Sequence, residues 1–352
     1  MGYLRQMMPH SRLAARALQE FPLRRLVFHA INNSRTSFFQ PRNDYGEGFI
    51  APNTIYLEPT MICNRRCDGC YPENLGTSSK IEERLAQHIF DTAKEIGVHY
   101  VAWIGGEPLT PLVQDITLGV SERNPTVNVV LCNNGDYLNR GIADRIEATD
   151  NITPSLSVDG FRESHDKRRG NGSYQHVLQA MALLKERRIL FGYSTTLNSG
   201  NFLEVTSERF VDEMIGHGAF IGYYCPFFSN SPHPFKLEPG QFADAIARLN
   251  QQSADKPIYI LSPDYGRLKG GKIIKGKRLV SITVDPWGGV RTERGGKPID
   301  SVTERRSLLE IIASSEFQSI FRMKVNGADD APDDGGRRVI RDESYRILEL
   351  HQ

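Results

Sequence analysis

Long apolar runs are missing from this chain: none reaches the roughly twenty residues that a membrane-spanning helix needs. The N-terminus has arginines but no apolar segment leading to a small-residue cleavage site. A cytoplasmic protein is the expectation. Neither sign of charge dominates, with 43 Lys and Arg against 42 Asp and Glu. No basic stripe is interleaved with aromatics, which argues against a nucleic-acid partner. Cysteine is scarce and odd in number, five in 352 residues, which makes a poor disulfide framework. Three of the five fall within eight residues, a clustering that reads as metal ligation in a reducing compartment.

What is present divides into three stretches. Residues 1–50 form a basic extension in which Leu13, Leu18, Leu23 and Leu26 alternate with Arg12, Arg16, Arg24 and Arg25, broken by Pro22. A helix of this kind either packs on the main body or lies on a membrane surface. Residues 51–235 alternate short apolar runs with helical periods. The expected strands are Thr54–Glu58, Tyr100–Ile104, Val127–Cys132, Ile152–Val158, Phe191–Leu197 and Ala219–Cys225. Their β-branched and aromatic content without alternation suits parallel strands buried on both faces. Pro154 is expected at the first position of its strand, where no ladder donor is required. Ser79 with Glu82 makes a capping box for a helix Ile81–Ile96 that stops at Gly97. Ser173 is the expected cap of the following helical run, and Glu204–His217 reads as one helix. Residues 236–352 read as a small α+β cap: a helix at Gln241–Asn250, a loop at Arg267–Lys277, a hairpin around Asp285-Pro286-Trp287-Gly288, a helix at Leu308–Phe321 and a polar tail from Asn326. Six βα units imply a sheet that curls toward a barrel, with its site at the C-terminal ends of the strands.

Directly after the first strand stands Cys63-Asn64-Arg65-Arg66-Cys67-Asp68-Gly69-Cys70. Three thiolates can hold three irons of a cubane cluster and leave the fourth iron open. Zinc is the competing ligand, but it takes four donors, and no histidine lies in this loop. The triplet is followed, after the second strand, by Gly105-Gly106-Glu107-Pro108. Cysteine spacing and Gly-Gly-Glu-Pro together resemble the radical S-adenosylmethionine (SAM) superfamily from about Tyr56 to Cys225.

That resemblance implies a partial (β/α)6 TIM-like barrel. It also implies one [4Fe-4S] cluster on Cys63, Cys67 and Cys70, and SAM chelated at the open iron and cleaved to a 5′-deoxyadenosyl radical. Gly105, Gly106 and Glu107 would hold the methionine end. Asn133-Asn134-Gly135 resembles the Thr-Asn-Gly of that superfamily and makes Asn134 a SAM contact. Ser157-Val158-Asp159-Gly160 resembles its Ser-Leu-Asp-Gly and assigns Ser157 and Asp159 to the ribose. His165-Asp166, Arg169-Gly170 and Gly172-Ser173-Tyr174 continue the pattern, with Arg169 a partner for the SAM carboxylate and Asn198 a further contact. Many members carry an aromatic residue just before the third cysteine. Here that residue is Gly69, and Tyr71 takes over the expected adenine stacking.

The C-terminal hairpin and helix resemble SPASM or twitch domains that have lost the cysteines of an auxiliary cluster. The only other cysteines, Cys132 and Cys225, cannot build one. A redox-neutral or carbon–carbon bond-forming reaction on a small-molecule biosynthetic intermediate, of sugar, nucleoside or nucleotide type, is the expectation. Flavodoxin or ferredoxin would supply the electron. Tyr223, Tyr224, Arg291, Glu293 and Arg294 are candidate substrate residues, and Cys225 a candidate hydrogen donor. Likeness around Leu57-Glu58-Pro59-Thr60 to hopanoid-lipid enzymes keeps a lipid or isoprenoid substrate at a membrane surface as the alternative. A non-catalytic iron–sulfur sensor is a remote one.

Overall fold

In a computed structural model, the structure describes residues 11–22, 49–70, 79–98, 100–228, 232–261, 267–269, 272–274, 280–292 and 296–326. The six expected strands form as β1 (Thr54–Leu57), β2 (Tyr100–Trp103), β3 (Asn128–Asn133), β4 (Ile152–Ser157), β5 (Gly192–Leu197) and β6 (Ile221–Pro226). All pair in parallel with their sequence neighbours. The intervening helices are α2 (Glu83–Ile96), α3 (Gln114–Arg123), α4 (Arg140–Ala148), α5 (Arg162–Arg169), α6 (Ser173–Glu186), α7 (Phe202–Val205) and α8 (Glu208–Gly216), preceded by α1 (Ser11–Glu20).

The C-terminal part adds α9 (Pro239–Asp255), β7 (Tyr259–Leu261), β8 (Arg267–Lys269), β9 (Lys272–Ile274), β10 (Ser281–Val284), β11 (Gly289–Arg291), β12 (Asp300–Ser301), α10 (Leu308–Ala313) and α11 (Ser315–Asn326). It joins the same sheet at both ends. The strand order is β12-β11-β10-β1-β2-β3-β4-β5-β6-β7-β8-β9, with β10 parallel to β1 and β7 parallel to β6.

One face of each strand is dry. Ile55, Leu57, Val101, Trp103, Leu131, Leu156 and Tyr193 are buried against the helices with Ile89, Phe90, Val177 and Leu184. Each such side chain contributes about 1.5–3 kcal/mol by leaving water. The opposite face carries half-buried polar and sulfur side chains, Tyr56, Cys132, Ser157, Ser194, Tyr223 and Cys225, with Ala102 and Val130 among them. Tyr56 Oη and Tyr223 Oη lie 2.9 Å apart. β1 and β6 are separated in the sheet by four strands, so this bond requires the sheet to curl until its first and sixth strands face each other across a lumen.

Several local expectations are corrected. Pro154 is the third residue of β4, not the first. Asn151 O accepts from Val129 N on the β3 side and Val158 N donates to Ser194 O on the β5 side, so alternation turns Pro154 toward β5. Pairing with β5 begins only at Ser155, and no ladder donor is lost. Ser79 does not cap α2; its hydroxyl accepts from Met61 N, and its carbonyl from Thr60 Oγ1. Gly97 does stop that helix, in the left-handed region at φ 72°.

Ser173 is the first helical residue of α6, and Asp166 does the capping, accepting from Gly172 N, Tyr174 N and the Ser173 hydroxyl. The single helix expected at Glu204–His217 is two, because Ser207 caps α8 afresh. Leu308–Phe321 likewise divides at Ser314. Within the loop expected at Arg267–Lys277, β8 and β9 pair as a hairpin.

α1 packs on the body. Leu13, Ala17 and Phe21 are buried with Leu190 and Phe220, and Arg16 donates to Ala219 O at 3.0 Å and Pro257 O at 2.9 Å. Leu13, Ala17 and Phe21 are therefore turned inward, while Leu18 is 60% exposed. No helix among the described residues is long and apolar enough to cross a membrane.

Candidate active site

β1 ends at Leu57, Glu58 follows it, and the chain then turns through residues 60–62 into the cysteine loop. The segment after β2 is laid against this turn as a short continuation of the sheet. Ile104 N donates to Leu57 O, Gly106 N to Thr60 O and Glu107 N to Ile62 O, each at 2.9 Å. A Cβ on Gly106 would sit 2.1 Å from Ile62 O, and one on Gly105 2.9 Å from Thr60 O. The close approach that demands these glycines is thus to the cysteine loop's own backbone. Glu107 is buried; its carboxylate accepts from Leu109 N at 3.0 Å and Asn134 N at 2.8 Å. Burial outweighs these bonds and raises its pKa to about 7.

The loop is also pinned from the β3 side. Asn64 and Arg65, between the first two cysteines, both bind Asp136, which takes His176 Nδ1 at 2.8 Å as well. Asn134 donates to Asn64 Oδ1 at 2.8 Å and approaches Cys63 Sγ at 3.8 Å, so its amide holds the loop. On the third side α5 receives it: Asp68 N donates to Arg168 O and Arg65 Nη1 to Arg169 O.

The three thiols are close enough to perturb one another. Burial pushes Cys63 up, and pushes Cys70 up to about 12, with the neighbouring Cys67 adding to both. Among the described residues no three His, Cys, Asp or Glu side chains converge tightly enough to hold a single ion. A cubane asks for something different, one thiolate on each of three irons, and the donor set here is three sulfurs and no imidazole.

Asp159 accounts for the residues around α5. Its Oδ2 receives Arg168 Nη1 and Arg169 Nε, and its Oδ1 accepts from Thr196 N at 2.8 Å. Burial opposes ionisation, but the two guanidiniums hold the carboxyl far below the usual range. Asp159 is therefore occupied by arginines and not available to a ribose in this arrangement. His165 Nδ1 accepts from Asp159 N at 3.2 Å, and burial, reinforced by Arg169, lowers its pKa from 6.5 to about 4.

A histidine that must be neutral in the folded state stabilises above pH 6.5 and loses that contribution as pH falls toward 4. We expect wild-type stability to drop across this window by up to about 3 kcal/mol more than His165→Gln, measured by chemical denaturation at each pH. Parallel pH profiles would refute it.

The remaining assignments divide. Ser157, Tyr223 and Cys225 face the lumen and are half-buried. Tyr224 does not: by alternation it points to the helices, fully buried, with its hydroxyl 2.7 Å from Tyr193 Oη and donating to Val205 O. Asn198 closes its own loop, bonding Thr196 O and Gly200 N. Arg291 is no open anion site. It lies buried, 2.6 Å from Asp285 Oδ2 and 3.7 Å from Glu58 Oε2, and fastens β11 to the end of β1. Arg291→Met would strand two buried carboxylates and should cost about 3–5 kcal/mol by urea denaturation; a loss under about 1 kcal/mol would contradict this role. Tyr71, Glu293 and Arg294 lie outside the described residues. Phe227 takes the space over Gly69, its ring 2.7 Å from where a Cβ would stand, and packs with His233 and Phe235.

Asp136, Arg65 and Phe227 were not singled out by the sequence. The signal for the first two was three polar side chains enclosed by Cys63 and Cys67, and an acid directly after Asn134-Gly135.

Residues 57–212 match the model of the Radical SAM superfamily. The AdoMet-dependent heme synthase of Methanosarcina barkeri is 31% identical over 228 residues, covering 62% of this chain and 64% of that protein. The mycofactocin maturase MftC of Mycobacterium ulcerans is 30% identical over 144 residues, 39% of this chain and 37% of that one. The chain thus spans less than two thirds of these curated relatives. Among solved structures, Streptococcus suis SuiB bound to S-adenosylmethionine superposes with a TM-score of 0.64 at 14% identity, over 77% of this chain and 68% of that one. At that identity the likeness is one of fold: an unclosed, mainly parallel barrel.

Proposed function

We propose that this chain, which belongs to the radical SAM superfamily, holds a [4Fe-4S] cluster on Cys63, Cys67 and Cys70 and cleaves SAM reductively to act on a small molecule in the barrel lumen. The observation that carries this reading is the loop itself. Three thiols stand at the mouth of the barrel, and the Gly105–Glu107 segment, Asn134 and α5 fix the loop from three sides. When bound, the cluster supplies the electron that breaks the SAM carbon–sulfur bond and releases a 5′-deoxyadenosyl radical.

The chain's own residues would do the rest. Glu107, poised near neutrality by burial, is the counter-charge for the methionine ammonium, whose arrival favours its ionised form. Ser157 offers a hydroxyl to the ribose from the lumen wall. Tyr56, Ser194 and Tyr223 present hydroxyls to a polar substrate, and their hydrogen-bonding character suits a sugar or nucleoside better than an apolar body. Cys225 stands at the end of β6 as a hydrogen donor to a substrate radical; flavodoxin or ferredoxin is the proposed source of electrons. With no cysteines in this sequence for an auxiliary cluster, a redox-neutral or carbon–carbon bond-forming outcome is favoured.

The heme synthase match, with Fe-coproporphyrin III synthase of the same organism at 25% identity, favours a tetrapyrrole substrate as the second reading. The test is anaerobic reconstitution, then SAM and a strong reductant, with 5′-deoxyadenosine followed by mass spectrometry while sugar, nucleoside, tetrapyrrole and peptide pools are added. Stimulation by one pool identifies the substrate class. Absence of 5′-deoxyadenosine with every pool, from protein carrying its cluster and bound SAM, would refute the catalytic reading.

A further inference from the structure

Two buried arginines sit beside the cysteines, and the assignment of Arg169 to a SAM carboxylate does not explain their arrangement. Arg169 is turned with Nε on Asp159 and Nη1 toward the loop, 4.0 Å from Cys67 Sγ. Arg168 shares the same carboxylate oxygen and is only 9% exposed. Its Nε is inaccessible and finds no acceptor among the described residues. Asp159 is locked in turn by Thr196 N and by its own N–H on His165. Two guanidiniums share one carboxylate, so the clamp itself is net positive beside the three thiols. A cluster bound by three thiolates is anionic, and becomes more so by one unit on reduction. A cation held at the sulfurs favours the reduced form most, and hydrogen bonds to sulfur act in the same direction.

Resting on the cluster assignment made above, we infer that the Asp159–Arg168–Arg169 clamp sets the reduction potential of the cluster, with Arg169 the donor to the Cys67 sulfur and Asp159 the positioning residue that aims it. Arg169 thereby acts before SAM binds.

The experiment is EPR-monitored potentiometry of the reconstituted full chain without SAM, comparing wild type, Arg169→Gln and Arg169→Lys. Arg169→Gln should make the cluster about tenfold harder to reduce at a fixed poise, a shift of about 59 mV to more negative potential for one electron. Arg169→Lys retains the charge but not the fork, and should shift in the same direction by less. Should the glutamine variant fail to keep its cluster, the lysine variant carries the test. Midpoints equal to wild type, with weakened SAM binding alone, would overturn the inference and return Arg169 to the SAM carboxylate. A wild-type protein without a [4Fe-4S] signal would instead strike at the cluster assignment itself.

Discussion

Cys67→Ala should lower reductive SAM cleavage by at least a factor of about 100, beyond what loss of a supporting group around a metal site costs. Cys67 is the most enclosed of the three, 7% exposed, and its carbonyl accepts from Cys70 N at 3.1 Å, so it shapes the loop besides being a proposed ligand. Its sulfur is also the one that Arg169 approaches. Removing it leaves two thiols, raised in pKa by burial, beside a positive clamp with no anion to face. The measurements are iron and sulfide content, the cluster's absorbance and EPR, and 5′-deoxyadenosine by mass spectrometry. Undiminished cleavage would mean that the cluster sits elsewhere. Zinc recovered from the wild type in place of iron would end the radical reading.

Gly106→Ala is expected to be the most damaging change that adds a single carbon. The new Cβ would meet Ile62 O at 2.1 Å, Ile62 C at 2.6 Å and Met61 C at 2.8 Å. All three are backbone atoms, so no side chain can rotate away. The ladder from Gly106 N to Thr60 O and Glu107 N to Ile62 O must open, and it is what sets the entry of the cysteine loop. A loss of about 3 kcal/mol follows from overpacking alone. Gly172→Ala is the control: its φ of 80° imposes backbone strain, but nothing lies within 4 Å of the added carbon. That variant should lose only about 1 kcal/mol. Equal melting curves for the two would show that the contact at Ile62 relaxes freely. Gly106→Ala should in addition take up less iron than Gly172→Ala.

The strands were legible because buried parallel strands have an unmistakable composition, and β1 to β6 fall within a residue or two of expectation. Helix ends were less so. Ser79 and Ser173 have the right side chain for a cap, yet Met61 N and Asp166 claim their hydroxyls, and such competition exists only once distant segments meet. The same reason explains Asp159, Asn198 and Arg291, whose residue types suit a ligand but whose partners are Arg168 and Arg169, Gly200, and Asp285 with Glu58. Tyr224 could have been separated from Tyr223 by alternation alone. Attachment of the C-terminal part to both ends of the sheet, through β7 and β10, was hidden because pairing between parallel strands leaves no local mark in either.

The pairing of Thr54–Leu57 with Ser281–Val284 carries a consequence for how the protein is made. Asn53 and Val280, bonded to each other, are 227 residues apart, so on a ribosome the outer edge of the first strand waits for most of the chain to emerge. An unpaired edge is a sticky template, and contacts this distant are slow to form. The cysteine loop hangs from that strand. It gains its final footing only when Ser281–Val284 have been made, so iron loading at the proposed ligands would be a late event in biogenesis.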